Sequence, residues 1–142
     1  MNKLSLDQAN KIIAAALAKG RELGLKPLSV AVLDPGGHLI AFQRADGAST
    51  LRPQIATGKA SGALALGVSS RKIAEMAAER PTFIASLGPV AQAGIIPAAG
   101  GVIVVDTNGM ALGAVGITGD TSDNDEACAL AGIEAVGLKS LG

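Results

Sequence analysis

The chain has 142 residues, 49% of them apolar and 1% aromatic, and its twelve basic and twelve acidic side chains cancel. That length suits one domain around one core, spanning residues 1–142. The balanced charge excludes a field that would steer the chain to nucleic acid or an anionic membrane, the scarcity of rings removes the stacking platforms of single-strand binders, and no apolar run reaches the roughly 20 residues of a membrane span.

Leu6, Ala9, Ile12, Ile13, Ala16, Leu17 and Leu23 recur at three- and four-residue steps, with Ser5 placed to cap the run and Gly24 to end it. This predicts an amphipathic first helix. Asp7 lies where a signal peptide would show a basic start and an apolar block, so the expected location is the cytoplasm. Residues 28–43 predict a β-hairpin, its apolar arms flanking Pro35, Gly36 and Gly37. Pro35 presets the first central turn position, and both glycines suit positive φ. Alternation of Leu39 and Ala41 with Ile40 and Phe42 predicts a second arm covered on both faces, which hands Arg44 and Asp46 to its end.

Residues 51–66 read as a slim helix, with Pro53 in the first turn and Gly58, Ala60, Gly62 and Ala63 permitting close approach to a neighbour. Residues 70–79 read as a short helix that Pro81 ends. Pro89, Gly94 and Pro97 then predict irregular chain over 81–100. A second hairpin over 101–118 turns at Asn108 and Gly109, read as positive-φ positions, and Gly113 and Gly116 in its second arm predict bulges or backbone contact. The last helix starts near Ser122, with Asp123, Asp125 and Glu126 at its positive end, and runs to about Leu138. Cys128 falls in its apolar pattern as a core residue; as the only cysteine it excludes an internal disulfide, and no Cys/His cluster marks a metal site. Phe42 and Phe83, the only rings, are assigned to the core. Two hairpins joined through helices predict a mainly antiparallel sheet with helices on both faces, an α+β fold, and exclude the βαβαβ alternation of a nucleotide-binding fold.

Chemistry-bearing residues are few. Arg44 offers a planar fork to a carboxylate, and Lys59 a point charge that burial can retune. With Asp46 they either hold a small organic acid or pin the hairpin to the helix through an ion pair. Glu126 is either a general base or, beside Asp125, a partner of the helix dipole. Gly100 and Gly101 either let a ligand approach the backbone or start a strand. His38, next to a Gly-Gly turn, is expected in solvent.

The run over residues 30–48 (VAVLDPGGHLIAFQRADGA), then Lys59 and Ala60, Gly100 and Gly101, the run over 113–119 (GAVGITG), and Asp125 with Glu126 occur in that order across nearly the whole chain. Together they resemble the GlcG/HbpS family of small bacterial proteins, which includes the C-terminal domain of PduO-type corrinoid adenosyltransferases. The resemblance implies a profilin-like three-layer α/β/α sandwich with a five-stranded, mainly antiparallel sheet, and self-association into dimers that often build octamers. It implies haem binding in some members, associated with a histidine of the first helix. The first helix here carries no His, Cys, Tyr or Met, so no cofactor is expected and haem enters by resemblance alone. Position within the matching blocks assigns Arg44, Asp46, Lys59, Gly100 and Gly101 to ligand binding, and Glu126 and Lys59 to acid–base chemistry. The expectation is a cytoplasmic small-molecule-binding protein whose cleft takes a carboxylated or oxygenated metabolite anchored by Arg44 and Lys59. The alternatives are a cofactor-independent isomerase or lyase working by proton transfer, a haem-binding protein, and a subunit whose main task is assembly.

Overall fold

A computed structural model describes residues 2–141. Helix α1 (Leu6–Glu22) begins with a capping box in which the Ser5 hydroxyl accepts from the Gln8 N–H and the Gln8 side chain accepts from the Ser5 N–H. These bonds satisfy two donors that the first turn would otherwise leave bare. Strands β1 (Ser29–Leu33) and β2 (Leu39–Arg44) form the first hairpin. Helices α2 (Arg52–Leu66), α3 (Ser70–Glu79) and α4 (Pro81–Leu87) follow, with a 3-10 turn over Gly88–Val90. Strands β3 (Gly101–Val105) and β4 (Ala111–Thr118) form the second hairpin, and α5 (Ser122–Ala135) leads to the two-residue β5 (Lys139–Ser140). All pairings are antiparallel, in the order β2-β1-β4-β3-β5. The fold is the α+β arrangement expected, with five strands between helical layers.

The two faces of the sheet are packed by different means. Val30, Val32, Val102, Val104, Val115 and Ile117 meet Ile12, Ile13, Cys128 and Ile133 of α1 and α5 in the main apolar core. On the opposite face α2 lies almost on the strands. A Cβ at Gly116 would strike the Ala56 carbonyl, and one at Gly101 the Lys59 carbonyl. On its outer side α2 is covered by the segment that carries Ile95 and Ile96, which sit against Gly62 and Gly58. A helix enclosed on both sides needs small residues all round rather than one apolar stripe, which is why its sequence carries no amphipathic pattern.

Both hairpin turns are built alike. The Asp34 carboxylate accepts from the N–H groups of Gly36 and His38, and the Asp106 carboxylate from those of Asn108 and Met110. Only the fourth residue of each turn takes positive φ, 84° at Gly37 and 78° at Gly109. Gly36 and Asn108 do not, because a type I turn followed by a glycine bulge needs only one such position. Gly113 sits at the β3–β4 register shift, its φ of 152° bringing it against the Leu33 carbonyl.

Four other expectations fail. Strand β2 is an edge strand, exposed at Leu39, Gln43 and Arg44, since nothing pairs beyond it. Residues 81–90 are helical, because Pro81 opens α4 at a position whose N–H has no intrahelical partner. Phe83 lies half out of the core, its ring under the Arg80 guanidinium. Helix α5 stops at Ala135, and the chain past Gly137 (φ 73°) returns to the sheet as β5. Among the described residues no helix is long and apolar enough to cross a membrane.

Candidate functional site

Beyond Gly101 the β3–β4 ladder ends on a side chain. The Ile117 N–H still donates to the Gly100 carbonyl. The Ile117 carbonyl, however, accepts from Lys59 Nζ at 2.9 Å. Gly100, at φ 130°, makes room for the ammonium, and a Cβ there would meet Nζ at 2.9 Å. Lys59 thus supplies the donor that a further strand residue would have given.

The same ammonium lies 3.2 Å from Asp125 Oδ2. Lys59 is 3% exposed and Asp125 1%, so the pair is withdrawn from water. Burial pushes the Lys59 pKa down, against the raising effect of Asp125, with Arg52 adding to the depression. Burial likewise pushes the Asp125 carboxyl up, opposed by the Asp120 N–H and by Lys59. Each charge is penalised by desolvation and retained by the other. Asp125 Oδ1 accepts from the Asp120 N–H at 3.0 Å. The Asp120 carboxylate in turn accepts from Asn124 Nδ2 and the Lys26 N–H, and these bonds, that from Asn124 foremost, bring its pKa down to about 2.

Around this pair stand two flanks. On one, Arg52 in the first turn of α2 donates from Nη1 to Thr118 Oγ1 at 2.8 Å and from Nε to Ser49 Oγ at 3.2 Å. On the other, Ser70 of α3 accepts from the Gly101 N–H at 2.7 Å. Arg71 grips both oxygens of Glu126 from Nε, at 3.0 and 3.1 Å, and Asp123 from Nη2. A cleft of about 450 Å³ opens there, lined by Arg71, Ala74, Pro97, Ala99 and Asp123. Its Ala99 wall adjoins Gly100, and Lys59 Nζ lies behind that glycine.

Of the residues singled out from sequence, Lys59, Gly100 and Gly101 come together. Glu126 is partly buried on Arg71. Arg44 and Asp46 stand exposed, and neither forms an ion pair among the described residues. The lysine–aspartate pair does pin one element to another, but through Asp125 of α5 rather than Asp46 of the hairpin. Sequence reasoning weighed Asp125 only as a dipole partner, and it missed Arg52, Thr118 and Arg71. A signal for Asp125 was present: it is in phase with Cys128, Ala129, Gly132 and Ile133, the buried stripe of α5. His38 is 75% exposed in its side chain, with Nδ1 3.3 Å from Asp34.

Comparison with known proteins agrees with this architecture. A Citrobacter freundii protein of 15.0 kDa, encoded in the dhaT-dhaS intergenic region, is 31% identical over 122 residues, which is 86% of this chain and 84% of that one. The crystal structure of HbpS superposes with a TM-score of 0.82 at 29% identity, covering 95% of this chain and 91% of HbpS. That of PduOC in complex with haem superposes with a TM-score of 0.86 over 99% of both chains, and at 21% identity it speaks for the fold. A family model described as haem degrading protein HbpS-like matches residues 4–134. The chain therefore belongs to the HbpS-like family, the GlcG/HbpS group that its sequence blocks resemble.

Proposed function

We propose that this chain is a cytoplasmic, self-associating small-molecule-binding protein. Its ligand is a small carboxylated or oxygenated metabolite, taken at the end of the sheet where α2 and α5 begin. Arg44 supplies a direct contact there and Lys59 a positive charge set behind Gly100. The observation that carries the reading is the buried Lys59–Asp125 pair. Such a pair contributes little net stability, and strongly perturbed groups of this kind concentrate at functional sites. Native mass spectrometry of the protein from its own host tests it. A small acid that travels with the wild type and is missing from Arg44→Ala supports the reading, and an empty oligomer in both opposes it.

A second reading is proton transfer, isomerisation or elimination next to a carbonyl, with Lys59 or Glu126 as base. It is favoured by the depressed pKa of Lys59, the direction a base needs. Turnover that falls by orders of magnitude in Glu126→Gln while the ligand is retained would establish chemistry. Binding that survives with only modest loss would leave the protein a binder.

The family description and the haem complex of PduOC bring haem forward as a third ligand. Haem iron calls for an axial donor, and the pocket around it decides what the group does. Helix α1 offers no donor, His38 and Met110 stand in solvent at the two hairpin turns, Met76 lies part-buried on α3, and Cys128 is enclosed in the core. The donors among the described residues do not fit haem, and the metabolite is preferred. A haem mass in the same spectrum would reverse that order.

A further inference from the structure

The row of residues at the end of the sheet, on the face where α2 lies, carries more than Arg44. Ser29 is opposite Arg44 in the β1–β2 ladder and opposite Thr118 in the β1–β4 ladder. Directly paired residues project to the same side of a sheet, so Arg44, Ser29 and Thr118 emerge in one line. Arg52 closes that line through its bond to Thr118. Adjacent strands lie about 4.8 Å apart, which puts the ends of the three-strand row roughly 10 Å from one another. That span is one two arginine side chains can close around a small anion.

We propose that Arg44 and Arg52, with the hydroxyls of Ser29 and Thr118 between them and the start of α2 alongside, form a site for the carboxylate or phosphate group of a small metabolite. The proposal rests on the ligand-binding reading above and assigns the acid end of that ligand to Arg52 in place of Lys59.

Four observations carry it. First, neither arginine has a carboxylate partner among the described residues. The carboxylates near this end are otherwise engaged, Asp125 with Lys59 and the Asp120 N–H, and Asp120 with Asn124 and the Lys26 N–H. Asp46, two residues past Arg44, makes no ion pair among the described residues. Second, Ser29 Oγ is fully buried and has no hydrogen-bond partner among the described residues. Buried hydroxyls are nearly always satisfied; this one and that of Thr118, 1% exposed, lie beneath the surface, so an anion oxygen satisfies it by parting the side chains over the row. Third, the Thr118 hydroxyl accepts from Arg52, which leaves its own O–H to donate. Fourth, the 15-residue helix α2 starts at Leu51 without a side-chain cap, so the positive end of its dipole is not answered by a side-chain oxygen. Two forked guanidiniums with hydroxyl donors between them match the oxygens of a carboxylate or a phosphate.

The test titrates the wild type with acetate, succinate and inorganic phosphate at constant ionic strength in sodium chloride, following backbone and arginine side-chain N–H signals by NMR. Saturable shifts at Ser29, Thr118 and Arg52 support the site, and the anion that saturates first tells a carboxylate from a phosphate. Arg52→Gln should weaken that binding by about tenfold or more, the loss of one charge-assisted contact. Arg44→Gln, at an exposed edge position where folding is not at stake, should do the same. Shifts that stay linear and equal those from chloride would overturn the proposal, as would saturable binding indifferent to both substitutions. A metabolite that travels with Arg52→Gln at the same occupancy and affinity as with the wild type would overturn this assignment while leaving the broader binding reading in place.

Discussion

Lys59 carries its charge to a position where water cannot reach it, and among the described residues only Asp125 and one carbonyl receive it. Breaking a buried pair from one side leaves the other charge stranded. Lys59→Met should therefore cost about 3 kcal/mol at pH 7, read as a lower urea midpoint. The loss should shrink on acidification. Without the ammonium, the folded-state pKa of Asp125 rises further above its ordinary value of 3.8. A carboxyl raised in the folded state contributes stability below the unfolded pKa and loses it as pH rises through the folded one. The variant is thus expected to be nearest the wild type around pH 4. Adding Asp125→Asn, which keeps an acceptor for the Asp120 N–H, should restore at least part of the loss at pH 7. If the double variant recovers nothing, the lysine matters for the packing of its stem and not for its charge.

At the scale of elements, the chain uses glycine for two opposite purposes. Helix α2 reaches the sheet because Gly116 has no Cβ to meet the Ala56 carbonyl and Gly101 none to meet that of Lys59. Gly116→Ala should push helix and strand apart at a cost of about 3 kcal/mol, measured by chemical denaturation. Gly88, at φ −52° with open space beside it, loses only unfolded-state freedom when replaced, and Gly88→Ala should add about 0.4–1 kcal/mol. Equal effects at the two sites would refute the close-packing account. The hairpins were legible in sequence because each turn is written locally, by an aspartate followed three residues later by a glycine. Helix α4 was not, since a proline reads equally well as the end of one helix and the start of the next. The exposure of β2 depends on which strands pair, and that is not a local property.

Across the whole molecule, the family blocks and the order of elements fixed the expected fold, and the structure agrees with it in strand number, pairing sense and layers. The candidate site was only half legible. Lys59 and its glycines could be picked out, but Thr118 and Ser29 lie 89 positions apart in sequence and meet only through strand register. Arg52 comes from yet another element. One consequence of the ammonium at the end of the β3–β4 ladder concerns hydrogen exchange. Amides at a strand's last pair normally open by local fraying, with little free energy required. Here the Gly100–Ile117 pair is backed by a buried charge, and the Gly101 N–H is held by Ser70. The Ile117 and Gly101 amides are expected to exchange as slowly as Val115 at the centre of β4, and exchange within minutes would show that the lysine does not hold the strands together. In Lys59→Met their exchange should quicken well before that of Val115, so this margin would open as a unit of its own rather than with the rest of the molecule.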